Sequence, residues 1–486
     1  MPVRDEIDVM SEMPSPLLRS VRNTTALALA ALVLAGCTMN YRAPTADLPA
    51  TFSAPAPERD VTRGQQWWAS FNDSRLNQLL TAGLARNLDV AQAIEAINEA
   101  RANTRLTGAN DIPDVSVTGS ASRGRPEGGS PVVESSSVSG NVSWTLDLFG
   151  RNRNARAAAS AQLDAAYLSV DVARLTMMSA IAQSYITARY YQEAIALTRQ
   201  SISSRRESLE LTQTKVEYGS APRLDLVQAQ QLVAQAEAQL PSLEVGFDQS
   251  VNSLGTLTNQ RISTLKVMLQ TGGPQPRPRY RASVGVPAEA IRNRPDVLAA
   301  ERQYAASVFN VGVARAAFYP SLSLTGTVTP THLAGAGSVK TWSFGPQLNL
   351  PIFNAANNAN LTIAESQAVQ QRLSYQATVL DAVEEVENAL AAYNRDARNI
   401  EAQRRLVNAA QEAVDLARTS FDIGDTEFFT VLDAERSLLD ARNSLAQAIQ
   451  QQALNYVTLS VATAGAGIGP RAAAPTAAAP AQVAAN

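Results

Sequence analysis

The sequence predicts an α+β chain, internally duplicated, in which four strands go to a β-barrel shared between several chains and very long helical hairpins make up most of the rest. Segments recur at a nearly constant offset, four runs alternate apolar and polar residues, and a 66-residue stretch free of Pro and Gly has a twin later in the chain.

The duplication is read from four anchors. Asn87-Leu88-Asp89-Val90 returns as Arg294-Pro295-Asp296-Val297, and Pro113 returns as Pro320, both at an offset of 207. Trp144-Thr145-Leu146 returns as Leu348-Asn349-Leu350 at 204. Gly219 with Leu226-Val227-Gln228-Ala229-Gln230 returns as Gly424 with Val431-Leu432-Asp433-Ala434-Glu435 at 205. A period this long is a duplicated domain rather than a solenoid repeat. The expected organisation is a first repeat over 74–262, a linker over 263–293 and a second repeat over 294–464. Each copy runs helix, two strands, a very long helix, a tight turn and a returning helix.

Strands are expected at 115–122, 137–149, 322–329 and 340–350. In 137–149, Val138, Gly140, Val142, Trp144, Leu146 and Leu148 share one face, and Ser139, Asn141, Ser143, Thr145 and Asp147 the other. This period-2 pattern over about ten residues is the pattern of an outer-membrane barrel strand. Pro346 lacks a ladder donor and belongs at an edge or a distortion. Four strands cannot close a barrel, and open edges are not tolerated in lipid, so several chains must contribute; three would give twelve strands. Trp144, Trp342 and Phe344 suit an aromatic girdle.

Residues 152–217 read as one helix, roughly 100 Å long at 1.5 Å per residue, and 354–421 as its twin. In 375–400, Tyr375, Val379, Val383, Val386, Leu390, Tyr393, Ala397 and Ile400 follow coiled-coil spacing. Neither long helix reads as apolar enough to cross lipid. Residues 87–111 and 222–262 together match 152–217 in length, as two shorter helices stacked beside the long one would; 295–317 and 427–464 nearly match 354–421. The Pro-, Gly- and polar-rich segments 41–73 and 263–293 read as a belt around the helices, with Trp67 and Trp68 packed in it. Residues 465–486, rich in Ala and Pro, read as a disordered tail.

The chain opens with a secretory pattern over 1–36: Arg19 and Arg22, the apolar run 26–36, then Cys37. The run is shorter than the roughly 20 residues of a spanning helix. Leu34-Ala35-Gly36-Cys37 resembles a bacterial lipobox, which implies a diacylglycerol and an N-acyl chain on Cys37 and makes 37–73 a lipid-anchored N-terminal segment. Thr38 follows, with no Asp to retain the protein at the inner membrane. The first 12 residues carry four acids, so Met13 makes the better initiator. One Cys and one His leave little material for a metal cluster or a Cys-His dyad. A net charge of −3 gives no reason to expect nucleic acid. No nucleophile–base or cofactor constellation appears, so no enzyme is expected.

Trp67-Trp68-Ala69-Ser70-Phe71-Asn72-Asp73 with Leu76, Leu79 and Leu80, then Arg292 to Val297 with Glu301, Gly312 to Pro320, Gly345-Pro346 and Leu350-Pro351-Ile352-Phe353 together resemble the TolC/OprM-like outer-membrane efflux protein family, in its lipoprotein branch. The resemblance covers roughly 40–464. It implies a homotrimer, with a twelve-strand outer-membrane barrel continuous with a twelve-helix periplasmic tunnel. It also implies two partners, a periplasmic adaptor and an inner-membrane transporter of the RND type. The expected function is export of small toxic compounds or drugs. Type I protein secretion and a non-conducting structural lipoprotein are the alternatives.

A channel needs a gate and a docking surface rather than catalytic residues. The turns Tyr218-Gly219-Ser220-Ala221-Pro222 and Ile423-Gly424-Asp425-Thr426 should lie farthest from the strands. Gly219 and Gly424 supply the left-handed helix end, and Pro222 suits the first turn of the next helix. Both glycines match the family's tip motif, where the adaptor docks; Pro222, Arg223, Asp225 and Thr426 lie beside them. Asp422, Asp425 and Glu427 make the second turn acidic. In a trimer, any one of them facing the axis would form a carboxylate ring that selects cations and repels itself on closing. The plain alternative is acids placed for the helix dipole. Arg223 and Asp225 are candidates for a pair across helices. His332 is assigned no role.

Overall fold

The computed structural model describes residues 39, 41–44, 67–125, 132–279, 291–335 and 337–463. A 3₁₀ turn over Trp67–Phe71 precedes α1 (Ser74–Arg86) and α2 (Leu88–Ala109). Strands β1 (Asp114–Gly124) and β2 (Val133–Leu146) follow, then α3 (Arg151–Glu217), α4 (Arg223–Thr258) and α5 (Ile262–Gln270). The second copy gives α6 (Pro295–Ala316), β3 (Ser321–Leu333), β4 (Gly337–Asn349), α7 (Ala355–Asp422) and α8 (Phe428–Ala462). The chain divides into two compact units. Among the described residues, one holds 39, 41–44, 99–125, 132–163, 302–335 and 337–373; the other holds 67–98, 164–279, 291–301 and 374–463.

The first unit carries one antiparallel sheet in the order β1-β2-β3-β4. Polar side chains pair across it, as Ser120 with Ser137 at 2.8 Å and Ser139 with Thr329 at 2.8 Å. Trp342 and Phe344 are exposed on β4, whereas the Trp144 indole donates to the Asp111 carbonyl at 2.9 Å. Pro346 lies in β4, an edge strand of the chain. The strand expected over 137–149 is shifted: it begins at Val133 and ends at Leu146. It ends there because Asp147 turns its carboxylate onto the first N–H groups of α3, accepting from Asn152 at 3.2 Å and Arg153 at 2.9 Å. Gly150, at φ 79°, completes the turn, so Leu148 falls outside the strand.

The second unit is built on a core of Trp67, Trp68 and Phe71 packed with Leu76, Leu79 and Leu80 of α1 against Ile181 and Tyr185 of α3. Asp73 starts α1 by accepting from the N–H groups of Arg75 and Leu76, and also receives the Tyr185 hydroxyl at 2.6 Å. One stretch of α3 is, by length and composition, apolar enough to cross a membrane, contrary to expectation. Met177, Met178, Ile181, Ala182 and Ile186 of α3 are buried among neighbouring helices, which accounts for apolar character on this helix. The coiled-coil stripe on α7 holds at Tyr375, Val379, Val386, Leu390 and Ile400 but fails at Ala397, which is exposed. Asp396 is buried beside it instead, accepting both Asn455 amide bonds at 3.0 and 3.2 Å.

Three further boundaries differ from the sequence reading. The returning helix of 222–262 stops at Thr258, where Asn259 adopts the left-handed conformation (φ 48°). A separate helix, α5, then occupies the start of the expected linker, because Leu265 and Leu269 seal its inner face. With 22 and 36 residues, α2 and α4 fall short of the 67 in α3. Cys37, Thr38, most of 37–66 and the tail 465–486 lie outside the described residues.

Candidate functional site

The helical hairpins of the two copies end in the same way. At the first tip, Gly219 (φ 66°) follows α3; its N–H reaches the Val216 carbonyl at 3.0 Å and the Ser220 N–H reaches Lys215 at 2.8 Å. At the second, Gly424 (φ 81°) follows α7, with Gly424 to Phe421 at 3.1 Å and Asp425 to Ser420 at 2.8 Å. These are paired six-to-one and five-to-two bonds, closing the last carbonyls of each long helix on a left-handed residue. Pro222 is the N-cap of α4 in extended conformation, one position earlier than expected, and Glu427 is the matching N-cap of α8. Neither side chain caps its helix.

Asp422, Asp425 and Glu427 are all exposed, and Thr426 donates its hydroxyl to Thr430 at 3.1 Å. Among the described residues Arg223 makes no ion pair within the chain; it is exposed. Asp225, its expected partner, lies close enough to the other hairpin to feel the Glu427 carboxylate. Burial first, and then the Glu427 carboxylate, push the Asp225 carboxyl above its ordinary 3.8. The tips therefore meet acid to acid. Below them Phe421 and Phe428 pack at 5.2 Å, and the Lys215 ammonium of the first hairpin lies 3.7 Å over the Phe421 ring. Cation–π contacts of this kind contribute about 0.5–1 kcal/mol at exposed sites.

A deeper contact between the hairpins was missed in the sequence. Glu435 of α8, nearly buried, accepts from Arg418 of α7 at 2.6 Å and from Ser208 of α3 at 3.2 Å. Arg418 also donates to Ser204 of α3 at 2.6 Å. The readable signal was the duplication itself, since Glu435 stands where the first copy has Gln230.

The joints at the other end of the returning helices are also duplicated. The Asn87 amide donates to the Leu257 carbonyl at the end of α4 (2.9 Å), while its oxygen accepts from the Val90 N–H in the first turn of α2 (3.0 Å). Arg294, its counterpart, donates to the Ala462 carbonyl at the end of α8 at 2.9 Å. Its guanidinium also binds Asp296 and Glu385, each at 2.7 Å. Burial would raise the Asp296 carboxyl, but Arg294 and the Val297 N–H outweigh it and hold that carboxyl below 3.8.

Comparison with known proteins fits this duplicated arrangement. The family model described as outer membrane efflux protein matches residues 79–260 and 286–465, one segment for each copy. Nodulation protein T of Rhizobium leguminosarum bv. viciae is 38% identical over 458 residues, covering 93% of this chain and 95% of that protein. The antibiotic efflux pump outer membrane protein ArpC of Pseudomonas putida is 34% identical, covering 91% and 96%. The open-state structure of the Neisseria gonorrhoeae MtrE outer membrane channel superposes with a TM-score of 0.78 at 28% identity, covering 89% and 98%. With both copies matched by one model and nearly the whole length shared with its relatives, the chain belongs to the outer membrane efflux protein family.

Proposed function

We propose that the chain is the outer-membrane channel of a tripartite efflux pump, exporting small toxic compounds or drugs received through a periplasmic adaptor from an inner-membrane RND-type transporter. The observation that carries this reading is a four-stranded sheet whose outer strands, β1 and β4, each have one edge without a partner strand among the described residues. In lipid each unsatisfied backbone group costs several kcal/mol. Three copies sharing one twelve-strand barrel would satisfy both edges. Acyl chains on Cys37 would anchor the chain to the outer membrane. The tips around Gly219, Pro222, Arg223, Asp225, Gly424 and Thr426 would dock the adaptor, and Asp422, Asp425 and Glu427 would line the gate.

In planar bilayers the purified chain is expected to conduct with a preference for cations. Asp425→Asn with Glu427→Gln should raise conductance and weaken that preference; unchanged values would sink the gate assignment. A deletion strain should become drug-sensitive, and full resistance without the gene would sink the efflux reading. The higher identity to Nodulation protein T favours a second reading of the cargo alone, a compound used in nodulation. Lost nodulation with unchanged drug sensitivity would select it.

A further inference from the structure

We infer that the chain carries a basic site, remote from the acidic tips, that takes an extended acidic peptide segment of a partner protein against the rail Pro274-Gln275-Pro276-Arg277-Pro278-Arg279. Every second residue of this rail is Pro. Proline fixes φ near about −65° and holds the residue before it extended, so the rail is stiff before any ligand arrives. Three contacts fasten it. The Gln275 amide donates to the Ala446 carbonyl of α8 at 2.8 Å, Pro276 is buried, and the Arg279 N–H donates to the Ser70 carbonyl at 2.9 Å. Arg277 and Arg279 remain exposed.

The rail lines an open cavity of about 710 Å³, together with Arg442 of α8 and the apolar side chains of Phe71, Leu197, Leu445 and Ile449. Its cations lack carboxylate partners. Among the described residues, Arg277 and the neighbouring Arg404 of α7 make neither a hydrogen bond nor an ion pair, and each repels the other. Arg279 meets the neutral Asn72 amide at 3.2 Å, and Arg442 the neutral Gln411 and Gln200 amides at 2.8 and 3.4 Å. Burial first, and then the Arg404 guanidinium, push Arg277 below its ordinary 12.5, against the pull of Glu193. The other carboxylate of the cavity, Asp73, is occupied by the N–H groups of Arg75 and Leu76 and by the Tyr185 hydroxyl. A bound anion would relieve the repulsion between the arginines.

The shape of the cavity selects a peptide. A small inorganic anion would leave most of the space empty and the apolar wall untouched. An extended chain with carboxylates on alternate residues repeats every 6–7 Å or so, the spacing of Arg277 and Arg279 along their own chain. Its intervening side chains can then lie on the apolar wall. A rail already held in place keeps the ordering cost of binding low. Bulk charge gives no such attraction, because the chain as a whole carries −3; the field that draws the peptide is local. Leu197 lies 20 residues before the end of α3 at Glu217, roughly 30 Å along the helix. The site is therefore separate from the tips, whose acids would repel the same peptide.

The test uses the full chain in detergent and a short fluorescent peptide of alternating Glu and Leu, read by anisotropy. Saturable binding that weakens with salt, and is absent for the same peptide with Gln in place of Glu, is the expected result. Arg277→Gln with Arg279→Gln should weaken binding roughly tenfold or more, as the loss of two charge-assisted contacts does. Lys at both positions should restore most of it. Arg372→Gln, exposed elsewhere on α7, should leave it unchanged. A photoreactive form of the peptide should label 274–279 in the parent chain, which keeps the site testable if the double variant misfolds. No binding to the parent chain, equal binding of the Gln peptide, or labelling confined to the tips overturns the inference. So does inorganic phosphate that competes as well as the peptide, which would mark a general anion site. Vesicles of anionic phospholipid that bind through the same arginines in preference to the peptide would overturn it in favour of a lipid surface.

Discussion

The two joints, one in each copy, do the same work with different chemistry. Asn87 closes the end of α4 and the start of α2 with a neutral amide, one donor and one acceptor. Arg294 closes the end of α8 with a buried guanidinium that needs two carboxylates, Asp296 and Glu385, to balance it. What the duplication has preserved is the obligation to satisfy a terminal helix carbonyl. The group that satisfies it has changed, and with it the cost of losing that group.

The largest expected effect comes from breaking the charged joint. Arg294→Ala leaves the Ala462 carbonyl without this donor and removes the cation that Asp296 and Glu385 share. Removing one partner of a buried pair costs about 3–5 kcal/mol; Glu385 is half exposed, so the lower end applies. Asn87→Ala loses a cap and one hydrogen bond, about 1–2 kcal/mol. Thermal unfolding in detergent should therefore rank Arg294→Ala well below Asn87→Ala. Arg294→Asn, which copies the first joint into the second, should fall between Arg294→Ala and the parent. Equal losses at both joints would show that the charge adds nothing.

At the tips the copies agree in backbone, so an equal effect is expected. Gly219→Ala and Gly424→Ala each place a Cβ on a residue in the left-handed region (φ 66° and 81°), at about 1–2 kcal/mol apiece. Open space surrounds both positions, so the strain is the backbone's own. Hydrogen exchange at the last turns of α3 and α7 should quicken to the same degree. A difference between the two would mean that the side chains, and not the turn, hold one of the tips.

What was legible in the sequence divides along the same line. The duplication, the four strands and the long helices were readable because each has a period, 2 for the strands and 3.5 for the stripe on α7. Positions decided by a single partner were not. Asp147 ends β2 by capping α3, Asn259 ends α4 early, and Asp396 displaces Ala397 from the stripe because Asn455 is there to meet it. The acidic residues of the second turn stand out in the sequence; the approach of Glu427 to Asp225 does not. Sequence proximity cannot foresee that the opposite hairpin brings Glu427 to it.

Asp225 gives the smallest effect and the finest test of how the copies differ. Asp225 lies in the first turn of α4; its equivalent in α8 is Thr430, while Asp425 and Glu427 stand where the first copy has Ser220 and Pro222. At these three positions each tip is acidic where the other is neutral, and the Glu427 carboxylate acts on Asp225 across the tips. Because the folded tip holds the Asp225 proton more firmly than the unfolded chain does, protonation stabilises the fold. That contribution is complete below the ordinary 3.8 and is lost as pH rises through the raised value. Asp225→Asn should therefore flatten the acid limb of tip stability by a few tenths of a kcal/mol, the size of screened surface interactions. Glu427→Gln should lower the Asp225 titration only part of the way, because burial is the larger cause and survives the substitution. An NMR titration of the Asp225 carboxyl reads this directly. A full return to 3.8 in Glu427→Gln would make the opposing charge, rather than the packing of the two tips, the reason the proton is held.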